Sequence, residues 1–200
     1  MKPDLQAANT QVTLLCASSE HWLDAVLNDF DAFLVDHAAC ERKAAAVATS
    51  MICHYPDREK LVAVMADLAV EEMSHFREVV RLIHKRGIAL SADRKDPYVN
   101  ALRKQIKNGR EAYLLDRLLI ASIVEARGTE RFAMIGAALS DEDLRKFYRQ
   151  LARSEARHQQ VFFDLALRYL PHDLVLSRLG ELQIIEAEII ESLPFRAALH

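Results

Sequence analysis

Glycine and proline are scarce in this chain of 200 residues, with five of each. That excludes a fold built on many tight turns. The three cysteines, Cys16, Cys40 and Cys53, form no C-x-x-C pair. A disulfide framework is therefore excluded, as are a rubredoxin-like iron site and an iron–sulfur cluster, and a reducing compartment is expected. No glycine-rich nucleotide fingerprint is present, so the chain carries no flavin or nicotinamide site of its own. Long apolar runs are absent too. The apolar stretch near the start, "VTLLCA", is short and detached from any charged leader, so neither a signal peptide nor a membrane span is expected. A cytoplasmic protein with no membrane partner follows.

What is plentiful is Ala, Leu, Glu, Arg and Lys, the composition of long helices. The length fits one domain, residues 1–200, with room for a real core. Apolar residues at Trp22, Val26, Leu27, Phe30, Phe33 and Leu34 recur at three and four, which predicts one helix from about Ser19 to the turn at Pro56. A second helix runs to Gly87, with acids at its start and Lys85 and Arg86 at its end. Residues 88–109 read as a mixed crossover with a short helix after Pro97. A third helix spans about Arg110 to Leu139. The capping-like "SDED" at 140–143 restarts a fourth, which ends at Leu170 before Pro171. A shorter fifth helix closes the chain.

Two stretches of this frame carry the same motif. "EEMSH" holds Glu72 and His75, and "SEARH" holds Glu155 and His158. Two copies of Glu-x-x-His are weak by themselves; their depth is not. Glu72 lies 16 residues after Pro56, and Glu41 lies 15 before it. Glu155 and Glu125 lie 15 residues either side of Ser140. In antiparallel hairpins equal distance from the turn is equal depth, roughly 22 Å at 1.5 Å per residue. All six side chains fall at one level, and residues three apart project from one helix face. Four carboxylates and two imidazoles can hold two divalent ions; without thiolates, iron or manganese fits better than zinc. The frame is an all-α, ferritin-like four-helix bundle: two helical hairpins, a long crossover between them and an extra C-terminal helix.

Around these residues, His37 one turn before Glu41 is a candidate outer-layer group, as are Asp67 and Asp116. Glu71, about 100° from Glu72, reads as exposed, and Glu130 fits the depth less well than Glu125. Ala44, Ala45, Ala48 and Gly128 leave room for oxygen or substrate, or Gly128 marks a π-bulge, or the small residues serve close helix packing. Thr129 is a candidate oxygen or proton relay, against back-bonding to its own helix. Tyr148 is a redox neighbour or part of the core.

The motifs "CERKA", "EEMSH", "EARGTERF" and "SEARHQ", in this order, resemble the tRNA hydroxylase family of the MiaE type over residues 20–170. Glu125 and Thr129 also resemble the oxygen-activating helix of bacterial multicomponent monooxygenases. The first resemblance implies a non-haem di-iron centre of two iron ions held by Glu41, Glu72, His75, Glu125, Glu155 and His158. It implies hydroxylation of the isopentenyl side chain of a 2-methylthio-isopentenyl-adenosine beside the tRNA anticodon. Dioxygen would be the co-substrate, and two electrons would come from an external donor such as a ferredoxin or flavodoxin with its reductase. Other di-iron oxidases or peroxidases, iron storage, and a metal-free scaffold remain as alternatives.

Charge is also unevenly placed. Residues 81–110 hold nine Lys and Arg against Asp93 and Asp96, in a chain of net charge −3. This predicts a basic end for a phosphate backbone, an anticodon stem-loop, contacted by Arg94, Lys95, Arg103, Lys104, Lys107 and Arg110.

Overall fold

The computed structural model describes residues 12–200. The reading of the first twenty residues as free of a leader or span falls partly on residues 1–11, outside the described residues. Among the described residues there are helices and no strands: α1 Glu20–Asn28, α2 Phe30–His54, α3 Glu59–Lys85, α4 Pro97–Arg103, α5 Arg110–Ala138, α6 Glu142–Tyr169 and α7 His172–Ser192. None of these helices is long and apolar enough to cross a membrane.

One boundary differs from expectation. The single helix expected from Ser19 to Pro56 is broken at Asp29, which leaves helical geometry and caps α2 by accepting a hydrogen bond from Ala32 N at 3.2 Å. The cap makes the break cheap. It turns α1 so that Trp22 and Val26 pack with Phe33, Phe132, Tyr148 and Leu199, while Trp22 Nε1 donates to Ala198 O at 3.0 Å. The other ends follow local rules. Gly87, at φ 72°, lets Gly87 N reach His84 O and Ile88 N reach Ile83 O, the paired bonds that close a helix on a left-handed residue. Asp141 caps α6 through Asp143 N and Leu144 N.

Helices α2 with α3, and α5 with α6, form the two hairpins of the bundle. Met51, Leu61, Met65 and Leu68 meet Leu114, Leu118, Ile123 and Phe162 in its core. Helices α4 and α7 close one side through buried polar pairs: Tyr98 Oη donates to Glu186 at 2.9 Å, and Arg127 to the same carboxylate at 2.8 Å. Arg178 Nε donates to Asp116 at 2.7 Å.

The crossover does not gather its charge at one end, as expected. Arg86 pairs with Asp31 at the start of α2, Arg42 with Asp93, and Arg110 with Asp57 beyond the end of α2. The basic segment therefore runs along the bundle, roughly 36 Å for the 24 residues of α2 between Asp31 and Tyr55.

Candidate metal centre and cavity

The long helices bring Glu41, Glu72, His75, Glu125, Glu155 and His158 together in the middle of the bundle. They form two overlapping groups, Glu41–Glu72–His75–Glu155 and Glu72–Glu125–Glu155–His158; within each, one ligand atom per residue lies within 4.8 Å of the others. Glu72 and Glu155 belong to both groups. Both imidazoles turn Nδ1 inward. His158 Nδ1 is 2.8 Å from Glu72 Oε1 and 3.1 Å from Glu155 Oε2. His75 Nδ1 is 3.4 Å from Glu41 and 3.7 Å from both Glu72 and Glu155.

The donor set fits a pair of divalent ions on its own chemistry. Glu72 Oε1, His75 Nδ1 and Glu155 Oε1 are buried without a well-aligned hydrogen bond, although polar atoms surround them, His158 Nδ1 lying 2.8 Å from Glu72 Oε1. Buried polar atoms are normally paired, so these three have the arrangement of ligand atoms rather than of a closed network. Electrostatics agrees. Burial, with Glu155 and Glu72 nearby, pushes the carboxyl groups of Glu41 and Glu125 well above their usual range. Despite burial, the two imidazoles hold Glu72 at about 2, and the surrounding carboxylates raise His75 to about 10 and His158 to about 11. Without cations the cluster keeps protons on Glu41, Glu125, His75 and His158; two divalent ions would replace them.

A second layer holds this set. His37, fully buried, lies with Nε2 2.7 Å from Glu41 Oε1 and Nδ1 3.3 Å from Tyr148 Oη. Burial lowers its pKa to about 3, so the ring is neutral, with one nitrogen facing Glu41 and the other facing Tyr148. Glu71 differs from its expected exposed role. It is only part-exposed, its Oε2 lies 3.2 Å from His158 Nε2, and Ser154 and Arg157 donate to its other oxygen. A carboxylate behind a metal-bound histidine fixes the ring and raises its basicity. No spacing along α3 signals this role, because the histidine it faces at 3.2 Å lies on α6. Glu71→Ala is expected to weaken metal binding by about 10- to 100-fold in anaerobic titration, with helix content unchanged.

The remaining candidates lie elsewhere. Asp116 is engaged by Arg178 and Lys107 N, and Asp67 is exposed on α3. Glu130 joins Arg127 and Ser18. Thr129 Oγ1 donates to Glu125 O at 2.8 Å, so its hydroxyl is committed to its own helix. Helix α5 is α-helical throughout, without a π-bulge.

A cavity of about 620 Å³ reaches the carboxylates from the surface, a size usual for ligand sites. Glu41, Glu72, Glu125 and Glu155 line its floor with Phe132 and Phe162; Val47, Ile120 and Val124 line its walls. Ala44 and Gly128 line it as expected, while Ala45 and Ala48 are in the core. A Cβ on Gly128 would meet nothing closer than Glu155 Cγ at 3.8 Å, so this glycine widens the cavity rather than permitting close packing.

Of the six candidate RNA contacts, Arg94, Lys95 and Arg103 line this cavity, joined by Lys43 and Arg117. Lys104 is exposed outside it. Lys107 faces Glu181 at 3.7 Å, and Arg110 pairs with Asp57. A further group, Cys40, Asp96 and His200, sits at the cavity edge, where His200 Nδ1 pairs with Asp96 at 3.1 Å and its ring stacks on Tyr98.

Against known proteins, the model of the family tRNA-(MS2IO6A)-hydroxylase (MiaE) matches residues 6–200. A tRNA 2-(methylsulfanyl)-N(6)-isopentenyladenosine(37) hydroxylase of Pseudomonas putida is 36% identical over 177 residues, 86% of each chain. A protein of the same name from Salmonella typhimurium is 34% identical over 68% of this chain and 50% of its own length. A solved structure, a protein with aldehyde deformylating oxygenase activity from Synechococcus, superposes with a TM-score of 0.87 at 34% identity, covering 92% of each chain.

Proposed function

The chain belongs to the tRNA-(MS2IO6A)-hydroxylase (MiaE) family, and from that premise we propose that it hydroxylates the isopentenyl side chain of 2-methylthio-isopentenyl-adenosine at position 37 of tRNA. The observation that carries the reading is the single cavity joining a floor of four clustered carboxylates to a basic rim. An aldehyde substrate, as named for the Synechococcus protein, would use the same floor but has no phosphate for Lys43, Arg94, Lys95, Arg103 and Arg117 to meet. The reading treats residues 12–200 as one ferritin-like unit, since α4 and α7 share the core of the bundle, and places it in the cytoplasm with its substrate.

Glu41, Glu72, His75, Glu125, Glu155 and His158 would hold two iron ions. When bound, such a pair supplies the chemistry that puts one oxygen atom of dioxygen into a C–H bond and reduces the other to water, with two electrons from an external donor such as a ferredoxin or flavodoxin. The protein's own part is positioning and exclusion. Val47, Ile120 and Val124 enclose an aliphatic tail and keep water from the floor. Phe132 and Phe162 limit its depth. His37, held by Tyr148, orients Glu41, and Glu71 orients His158. Arg94, Lys95 and Arg103 place the backbone of the loop so that the tail enters. Thr129→Val is expected to keep activity within about twofold, because its hydroxyl serves its helix.

The test is hydroxylation of a modified anticodon stem-loop by reduced protein, read by nucleoside mass spectrometry. Changing Arg94, Lys95 and Arg103 together to Gln should weaken stem-loop binding and flatten the slope of log affinity against log salt by about 2 to 3. Metal content and turnover of the free nucleoside should stay. Changing Lys104, Lys107 and Arg110 instead should alter the slope by less than about 1. Equal effects of the two triples would refute a basic rim at the cavity.

A further inference from the structure

The deep rings of the cavity, Phe132 and Phe162, are 1% and 2% exposed. Tyr113 is different: it lines the same cavity but is half-buried near the start of α5. It lies twelve residues before Glu125, roughly 18 Å away along the helix. The ring is fixed on two sides. Arg117 lies over it, with Cζ 5.5 Å from the ring centroid, and His54 lies 5.7 Å from it, centroid to centroid. Arg117 is itself anchored, donating to Ser50 Oγ at 3.2 Å and to Val47 O at 3.3 Å. An aromatic ring backed on one face by an immobilised guanidinium, lining a cavity with further cations, offers its other face as a surface of the kind on which single-stranded nucleotides stack.

We propose that Tyr113, braced by Arg117 and His54, is the stacking platform for the nucleobase adjacent to the modified adenosine. The inference rests on the tRNA reading above. With the aliphatic tail at the carboxylate floor and its adenine in the neck, the next base in the loop emerges at the rim. Stacking there is independent of base identity, because every base has a π-face. It holds the loop open and selects an unpaired loop over duplex RNA. The ring face does this, not the hydroxyl, which makes no hydrogen bond among the described residues.

The experiment uses a modified stem-loop carrying 2-aminopurine next to the modified adenosine, titrated against the iron-loaded protein with no reductant or electron donor present, so that no turnover occurs. Binding to the wild type and to Tyr113→Phe should quench the fluorophore. Tyr113→Ala should lose the quench and about tenfold in affinity, the effect expected of one lost base stack. Tyr113→Leu, which keeps bulk without a π-face, should behave as the Ala variant and serves if that variant folds poorly. Both variants should retain the wild-type KM for the free modified nucleoside. Undiminished quenching and affinity in both overturn the proposal. So does an equal loss on free nucleoside, which would put Tyr113 against the modified adenine itself. A wild-type protein that binds the loop but does not hydroxylate it contradicts the functional reading and leaves the platform standing.

Discussion

Glu72→Ala is expected to abolish hydroxylation and leave less than one iron per chain, with the helical circular-dichroism signal intact. Glu72 belongs to both ligand groups, is 1% exposed, and lies against both imidazoles. Its loss therefore damages both ion positions together. Outer-layer groups at metal sites are worth about 10- to 100-fold, so loss of a carboxylate shared by both groups should exceed about 100-fold in affinity and activity. The fold survives because α3 is anchored by the buried apolar residues Leu61, Met65, Leu68, Val79 and Ile83. His158→Ala should act in the same direction. Glu130→Ala is the contrasting case: it disturbs the Arg127 and Ser18 network and should cost stability while leaving metal binding in place. Full iron content in Glu72→Ala would remove the six-residue ligand set.

The second large effect is a reversal of pH dependence on metal loading. In the metal-free protein His75 and His158 are raised above their ordinary value, to about 10 and about 11. The stability they contribute is complete below about 6.5 and is lost as pH rises through those values. Glu41 and Glu125 are also raised, so their protonated forms favour the fold at low pH and their contribution falls as pH rises above about 4.5. Glu72 runs the other way: held at about 2, it contributes above its unfolded value and loses that as pH falls. Metal-free protein should be most stable between about pH 4.5 and 6.5, and its Tm should drop by at least about 4 °C between pH 6 and 9, roughly 1–2 kcal/mol for a chain of this size. Iron binding needs neutral imidazoles and ionised carboxylates, so its stabilisation grows with pH. Anaerobic melting with and without ferrous iron should show the two curves diverging as pH rises. Parallel curves would mean that iron does not take the place of those protons.

Much of this was determined by the sequence alone, because it is carried by periodicity and chain distance. Helix rise is constant, so equal distances from Pro56 and Ser140 place Glu41, Glu72, Glu125 and Glu155 at one depth without knowledge of packing. Spacing by three puts each histidine on the face of its glutamate. Gly87 and Asp141 mark helix ends by local chemistry that needs no partner. Tertiary structure decided what depends on contacts between distant segments. The break at Asp29 follows from Trp22 packing against residues near the C-terminus. Glu71 became a partner of His158 only because α6 lies beside α3; on an isolated helix it faces water. Asp116 went to Arg178, which no local pattern announced. The basic run of residues 81–110 was legible as charge, but its division between the cavity rim and surface ion pairs depended on which acids α2, the turn after it and α7 bring to it. Arg117 and Tyr113, outside that run, reach the rim because α5 starts beside the end of α2, a relation fixed by packing between the two hairpins and not by any spacing within one of them.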